Sequence, residues 1–190
     1  HYGAWVPKGG MVEIGRSITD LLKRKGAKIF LNSKVEEITT SKNAVSGIIV
    51  NGEQIKADYA ISNMDIYYSY EKLLSKHKTP KNVSEAERSS SALIFYWGIK
   101  KTFENLDLHN ILFSENYQQE FEEIFKRGRI SSDPTIYINI TSKDIPSDAP
   151  TGCENWFVMV NAPHDQGQNW NEIVTELKRV TIQKINRLLD

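Results

Sequence analysis

The side chains in this sequence that could carry out acid–base or nucleophilic chemistry are few and far apart. The four histidines stand at separate positions: His1, His77, His109 and His164. His164 and Asp165 follow a predicted strand, and a histidine placed there could act as a general base. A general base is identified by its geometry to a substrate, so an exposed loop pair is the preferred interpretation. The sequence therefore names no catalytic residue.

Motifs that bind cofactor phosphates or metals, or that carry a nucleophile, are absent. The chain has no G-x-G, so it holds neither a dinucleotide-binding fingerprint nor a P-loop. It has no G-x-S-x-G and no H-E-x-x-H, and its single cysteine, Cys153, excludes a disulfide framework and a cysteine-based zinc site. Glu120, Glu122 and Glu123 are predicted to form the solvated face of a helix. We therefore predict no metal site.

Aromatic residues offer a candidate ligand pocket. Tyr96, Trp97 and Trp156, with the neighbouring Phe157, lie in two predicted strands and could line a pocket for a flat apolar ligand. Large aromatic side chains also dominate protein cores, and core packing is the preferred interpretation at strand spacing. Tyr96, Trp97 and Trp156 remain candidates for a substrate pocket.

The composition excludes several classes of partner. Among 190 residues, 24 Lys and Arg balance 24 Asp and Glu. No overall positive field favours nucleic acid, so we predict no nucleic-acid binding.

The longest strongly apolar run, residues 92–99, is far shorter than the ~20 residues that a membrane-spanning helix needs. A single cysteine fits a reducing compartment, and we expect a cytoplasmic protein.

The first part of the chain alternates between strand and helix patterns. An aromatic, strand-like start and a Pro-x-Gly-Gly turn precede an amphipathic helix that Gly26 ends, and residues 27–31 are typical of a strand. This order predicts a crossover onto a parallel sheet. Asn51-Gly52 is a strong signal for a type I′ hairpin turn, and Asp65 is placed to cap a helix. The other predicted strands of this part cover residues 35–39, 45–50, 53–57 and 58–62.

Residues 76–91 are polar and aperiodic, and they are predicted to link two lobes. The second lobe begins with the apolar run 92–99, which predicts an interior strand. Further strands are predicted over residues 110–114, 135–141 and 155–162, with amphipathic helices over residues 117–127 and 170–188. The last helix is expected to bury its apolar stripe on the sheet. The predicted fold class is mixed α/β and α+β.

Several segments, taken in order, resemble one known family. They are WVPKGGM (Trp5–Met11), LNSKVEEI (Leu31–Ile38), ADYAISNMD (Ala57–Asp65) and HNILFSENYQQEFEEIFKRGRISSDPTIYI (His109–Ile138), with the Asn51-Gly52 hairpin between them. The earlier segments are similar to flavin-dependent desaturases and amine oxidases. The last segment is similar to the bacterial phytoene desaturase family and its carotenoid and retinol relatives. The likeness covers nearly the whole chain.

This resemblance implies a fold and a cofactor. In such proteins a middle segment completes a discontinuous, Rossmann-like FAD-binding domain, and this segment maps onto residues 1–66. A substrate-binding domain, with a mixed, mainly antiparallel sheet and covering helices, maps onto residues 67–190. The chain is then an internal fragment, expected to be inactive alone.

The resemblance also implies which residues contact FAD. Lys34 and Val35 would lie beside the adenine, with the main chain of Val35 pairing to the base. Ser62, Asn63 and Met64 would approach the cofactor at a turn. Family members often have alanine at the position of Met64, so this chain departs from the pattern there.

The implied function is that of an FAD-dependent oxidoreductase that desaturates or saturates a carotenoid-like isoprenoid. In such enzymes FAD accepts the hydride, and the protein supplies orientation and a dry apolar pocket. Peripheral membrane association of the full-length protein and a homodimer of the fragment are further expectations. Two other classes of function stay open: a non-catalytic binding module for an apolar small molecule, and a structural or chaperone-like relative that has lost catalysis.

Overall fold

The computed structural model describes residues 5–189 and divides into two compact units, one ending at Glu87 and the other starting at Arg88. The linker predicted over residues 76–91 contains this division. The border between residues 66 and 67, which the resemblance implies, lies inside the first unit. The two units are defined by how the chain packs, whereas the implied border separates an FAD-binding domain from a substrate-binding domain. The assignment of residues 1–66 and 67–190 to these two domains therefore stays a prediction.

Helix α1, Val12–Arg24, ends at the predicted glycine. Gly26 has a left-handed φ of 79°, and the N–H of Ala27 donates to the Leu22 carbonyl, which is the bond of a Schellman cap. No side chain of this helix is buried. Its apolar stripe is therefore exposed in the described part of the chain: Met11, Ile14, Ile18, Leu21 and Leu22.

The strands predicted over residues 27–31 and 58–62 do not form in residues 5–189, because both segments belong to neither sheet. Residues 27–31 were to be the strand that follows α1, so the prediction of a parallel crossover is wrong for the described chain. A strand needs a neighbour to pair its backbone groups, and the described residues supply none here. The strand-like start lies partly outside the described residues, and Trp5 and Val6 are not in a strand.

A three-stranded antiparallel meander forms the sheet of the first unit. Its strands are β1 Val35–Ser41, β2 Ala44–Val50 and β3 Glu53–Lys56, in that order. Asn51 and Gly52 have φ values of 50° and 81°, the positive values that the predicted type I′ turn requires. At Gly47 the strands are so close that an added Cβ would lie 2.2 Å from the Ile55 carbonyl oxygen.

Asp65 caps the helix that follows, as predicted. Its carboxylate accepts the backbone N–H of Tyr67 at 2.9 Å. Helix α2, Ile66–Tyr68, continues as a π-helical turn over Ser69–Leu73. A short helix, α3, covers Lys81–Ser84.

The second unit is built on a four-stranded antiparallel sheet. Its strands are β4 Ser91–Ile99, β5 His109–Leu112, β6 Ile136–Asn139 and β7 Glu154–Ala162. Their order across the sheet is β4-β7-β6-β5. Strand β4 is thus an edge strand, and the prediction of an interior strand was wrong. Its apolar run does not reflect a central place in the sheet, because its residues alternate between exposed and half-buried.

Helices α4, Tyr117–Arg127, and α5, Trp170–Leu189, complete the second unit. The predicted burial of the α5 stripe is confirmed at Leu177 and Ile185, which join a core with the inward side chains of β6 and β7. Leu188, at the end of the stripe, is exposed. No helix among residues 5–189 is long and apolar enough to cross a membrane.

Glu120 corrects the prediction of a solvated acidic face on α4. Its side chain is buried, and its carboxylate accepts the backbone N–H of Thr135 at 3.0 Å and the hydroxyl of Thr135 at 2.6 Å. Glu122 and Glu123 form ion pairs with the basic residues one turn further on. Glu120 is therefore a structural acceptor that joins α4 to the start of β6.

Candidate functional site

An open groove in the first unit brings together all five residues predicted to contact FAD. The groove has a volume of about 860 Å³. It lies between the start of β1 and the irregular segment 57–64, and apolar side chains make up most of its lining. The predicted residues on its wall are Lys34, Val35, Ser62, Asn63 and Met64. Two segments that are distant in the sequence thus meet at one site.

The backbone of Val35 faces the open edge of the meander. Strand β1 is an edge strand, and Val35 is paired with Val50. The N–H of Asn51 donates to the Lys34 carbonyl at 3.4 Å, a bond that flanks a non-hydrogen-bonded pair in an antiparallel ladder. The N–H and C=O of Val35 therefore point away from β2. They offer one donor and one acceptor to a ligand.

The turn Ser62–Met64 is held by hydroxyl groups. The Ser62 hydroxyl oxygen accepts the backbone N–H of Met64 at 3.2 Å and lies 2.9 Å from the hydroxyl oxygen of Ser69. Ser69 is buried and donates to the Met64 carbonyl at 3.2 Å. The Ser62 hydroxyl is therefore engaged in fixing the turn, whereas Asn63 is exposed.

The three aromatic residues predicted for a substrate pocket have different environments. All three line a shallow groove of about 660 Å³ at the ends of β4 and β7. Trp156 is a core residue, 3% exposed, and its indole N–H donates to Glu154 at 2.8 Å. Trp97 packs against the same core, whereas Tyr96 is 78% exposed on the other face of the sheet. Only Tyr96 thus belongs to the open face.

The open face of the four-stranded sheet is a second candidate site. Two cross-strand rows point away from the core, one of Ile94, Met159, Tyr137 and Ile111 and the other of Tyr96, Phe157, Asn139 and His109. Most of these side chains are apolar, and the Tyr96 and Phe157 rings meet edge to face with centroids 5.5 Å apart. The face is an apolar wall with a polar corner at His109 and Tyr137.

The sequence did not single out His109 or Tyr137 as a pair. They lie in different strands, and the antiparallel register of β5 and β6 brings them together. The alternation of side chains along each strand was the available signal, but it does not give the pairing of one strand with another.

His164 and Asp165 do not form an acid–base pair. The Asp165 carboxylate accepts the Trp170 indole N–H at 2.9 Å and the Gly167 N–H at 3.0 Å. These bonds, first that from Trp170, hold the pKa of Asp165 below its ordinary value. His164 Nε2 lies 2.9 Å from the Gln166 side-chain nitrogen. The two residues organise the loop before α5, in agreement with the interpretation as a loop pair.

Comparison with known proteins identifies the family. Residues 1–180 match the family of flavin containing amine oxidoreductases. The 1-hydroxycarotenoid 3,4-desaturase of Flavobacterium sp. (strain P99-3) is 50% identical to the chain, over 99% of this chain and 38% of that protein. The 4,4'-diapolycopene oxygenase of Methylomonas sp is 34% identical, over 86% of this chain and 33% of that protein. A solved oxidoreductase from Methanosarcina mazei shares the fold, with a TM-score of 0.66 and 15% identity over 96% of this chain and 40% of that one.

The chain belongs to the family of flavin-containing amine oxidoreductases. Its relatives place it in the carotenoid desaturase group of that family, so the resemblance seen in the sequence is confirmed. The chain spans 38% and 33% of the length of the two curated relatives.

Proposed function

We propose that the full-length protein containing this chain is an FAD-dependent oxidoreductase that desaturates or saturates a carotenoid-like isoprenoid. Residues 1–66 complete a discontinuous FAD-binding domain, and residues 67–190 form part of the substrate domain. The observation that carries this proposal is the groove that gathers Lys34, Val35, Ser62, Asn63 and Met64. The chain alone is expected to be inactive, because it has no G-x-G-x-x-G motif for the dinucleotide phosphates.

The groove fits the adenine end of FAD by its chemistry. An adenine edge carries a donor and an acceptor, and the outward N–H and C=O of Val35 complement them. Tyr59 and Ile61 on the groove wall are 88% and 99% exposed, and a bound ring system would cover such side chains. Bound FAD would provide the acceptor for a hydride from an unactivated carbon. The residues of this chain orient the cofactor and exclude water.

The open face of the second sheet supports an isoprenoid substrate. Ile94, Tyr96 and Ile111 are exposed apolar side chains of this face, and they match a long hydrocarbon. Burying apolar surface contributes about 25 cal/mol per Å², so such a wall can bind its ligand without charged groups. In this proposal Tyr96 contacts the substrate directly, and Trp97 and Trp156 support the groove at the strand ends.

The chemistry of the substrate bears on where the full-length protein works. A carotenoid-like isoprenoid partitions into lipid rather than water, so we propose a cytoplasmic enzyme that associates peripherally with a membrane. The exposed stripe of α1 gives the isolated chain a surface for self-association, which is the basis for expecting a homodimer of the chain alone.

Replacing Val35 in the full-length protein tests the groove. Proline removes the outward N–H of Val35 without breaking a hydrogen bond to β2, and the first residue of an edge strand tolerates proline. We expect Val35→Pro to weaken FAD binding about five- to tenfold, the effect of losing one hydrogen bond of about 1 kcal/mol. Val35→Ala keeps the N–H and is the matched control, expected to change FAD affinity by less than about threefold.

Visible absorption of bound flavin is the measurement. A flavin band in the full-length protein, with none in the chain alone, supports the proposal. Equal FAD affinity of Val35→Pro and the wild type would show that the adenine binds elsewhere. A full-length protein without flavin, even after reconstitution with FAD, would contradict the oxidoreductase and favour a binding module for an apolar small molecule.

A further inference from the structure

The polar corner of the open sheet face is a hydrogen-bonded pair of side chains. His109 Nδ1 lies 2.7 Å from the hydroxyl oxygen of Tyr137, and the two rings stack with centroids 6.0 Å apart. Asn139 Nδ2 lies 3.2 Å from the same Nδ1 atom. Across the strands, Tyr137 is paired with Ile111, and Asn139 is paired with Phe157. Polar groups thus stand at one end of an otherwise apolar surface.

The hydrogen-bond network determines which polar groups this pair presents. Asn139 Nδ2 donates to the Leu108 carbonyl at 2.9 Å, and a carbonyl oxygen only accepts, so the amide nitrogen is oriented toward His109 as a donor. His109 Nδ1 is therefore an acceptor, and the neutral imidazole carries its proton on Nε2. The Tyr137 hydroxyl donates to the same Nδ1 lone pair at 2.7 Å, and the Asn139 amide shares that lone pair at 3.2 Å. The pair then has one donor, His109 Nε2–H, and one acceptor, the Tyr137 hydroxyl oxygen, for a ligand.

The Tyr137 hydroxyl stays neutral under physiological conditions. Burial raises the pKa of Tyr137 above its ordinary value, so the phenol keeps its proton. A neutral donor and acceptor suit an uncharged ligand, because a charge beside an apolar ligand would have to be desolvated.

We propose that His109 and Tyr137 bind a hydroxyl group at one end of a hydroxylated carotenoid-like substrate. An aliphatic hydroxyl is both a donor and an acceptor, which is the complement of the groups that the pair offers. The hydrocarbon of the substrate then lies along the apolar rows, beside Ile111, Met159 and Phe157. This inference rests on the proposed function and adds a determinant of substrate choice. It requires that the enzyme prefers a hydroxylated carotenoid to the same carotenoid without the hydroxyl.

The test compares two substrates in the flavin-loaded, full-length protein. One is a 1-hydroxycarotenoid, the class in the name of the Flavobacterium relative, and the other is the same carotenoid without its hydroxyl. The quantity measured is the ratio of kcat/KM for the hydroxylated substrate to kcat/KM for the other. We expect the wild type to give a ratio well above one, because a site with hydrogen-bonding groups rejects an analogue that leaves them unpaired.

Variants of the pair should reduce this ratio. Tyr137→Phe keeps the ring and removes the hydroxyl, and we expect it to lower the ratio about tenfold. His109→Phe removes the Nε2–H donor and is expected to act similarly. The double variant should lose little more than either single variant, because the two side chains act as one unit.

Tyr117→Phe is the matched control. It removes a tyrosine hydroxyl from α4 in the same unit, and the ring contacts with Phe113 and Phe121 do not need that hydroxyl. We expect it to leave the ratio unchanged. Binding of the two carotenoids without an electron acceptor gives a second readout, in which Tyr137→Phe should weaken only the hydroxylated ligand.

The outcomes separate this inference from the proposed function. A wild type that turns over both carotenoids equally, or variants with an unchanged ratio, would overturn the inference and leave the proposed function standing. A flavin-loaded wild type that turns over neither carotenoid would overturn both. Flavin absorption reports whether a variant is folded, and if Tyr137→Phe loses it, the ratio of His109→Phe decides the question.

Discussion

Glu154 is the buried carboxylate that ties the start of β7 to the neighbouring loops. It accepts hydrogen bonds from the Phe103 N–H at 2.9 Å, the Trp156 indole at 2.8 Å and Lys143 Nζ at 2.8 Å. Burial alone would raise the pKa of Glu154, but the bonds from Lys143, Phe103 and Trp156 outweigh burial and lower it. Because the folded-state pKa is depressed, this stabilisation is complete above the unfolded-state value of about 4.3. It is lost as the pH falls through the folded-state pKa.

Glu154→Gln should lower the free energy of unfolding at neutral pH by about 2 kcal/mol, because it leaves Lys143 without its anionic partner. The wild type should lose part of this advantage below about pH 4.3, and the variant should not. Urea midpoints at neutral and acidic pH measure both effects. Glu176→Gln, which breaks an exposed ion pair with Arg179, is the control and should shift the midpoint little. Parallel pH profiles of Glu154→Gln and the wild type would contradict the role given to this carboxylate.

At the scale of elements, the contact between β2 and β3 depends on Gly47. An added Cβ would lie 2.2 Å from the Ile55 carbonyl oxygen, which is backbone and has little room to move. We expect Gly47→Ala to destabilise the chain by about 1–3 kcal/mol. Gly15→Ala on α1 should instead stabilise it by about 0.5–1 kcal/mol, because alanine is a better helix former and nothing lies within 4 Å of its Cβ. Thermal unfolding of both variants tests these two predictions. An unchanged midpoint in Gly47→Ala would mean that β2 and β3 move apart at little cost.

The sequence predicts an element well when its signals are local. The Asn51-Gly52 turn, the Asp65 cap and the bounds of α4 follow from residues within one turn of each other, and the structure agrees. The strands expected over residues 27–31 and 58–62 are absent from the described chain, since a strand depends on a partner that need not be near in sequence. For the same reason, the apolar run of β4 could not show that β4 lies at a sheet edge.

The candidate sites also differ in whether the sequence could predict them. The five residues of the groove were predicted through the family pattern, and the structure gathers them around one groove. The pair of His109 and Tyr137 depends on strand register, which no local signal gives. Glu120 has the same sequence character as Glu122, but its burial depends on where α4 meets Thr135.

At the scale of the whole molecule, the described residues expose many large apolar side chains, among them those of the stripe on α1. No side chain of the stripe on α1 is buried within the described residues, and Ile18 is 54% exposed. Soluble monomers rarely expose contiguous apolar patches larger than about 300–600 Å². The curated relatives are also much longer than the chain. Under the proposed function, other parts of the FAD-binding domain cover this stripe in the full-length protein.

Ile18→Glu should therefore change stability little in the chain alone and lower it strongly in the full-length protein. In the chain alone the side chain faces water, so the free energy of unfolding should change by less than about 0.5 kcal/mol. Self-association, measured by sedimentation, should weaken. In the full-length protein the same change would bury an unpaired charge and should lower stability by about 3 kcal/mol or more. The thermal midpoint and the flavin content measure that loss.

Lys23→Glu, on the other side of α1, is the control that distinguishes the possible environments of the stripe. It introduces the same residue off the stripe, and it should cost only about 0.5 kcal/mol in either protein, through the helix dipole. If α1 faced water in the full-length protein, Ile18→Glu would be as harmless there as in the chain. If it faced a lipid surface, Ile18→Glu would release the protein from vesicles and leave its thermal midpoint in solution unchanged. Only packing against other parts of the same protein makes the midpoint fall for Ile18→Glu and hold for Lys23→Glu.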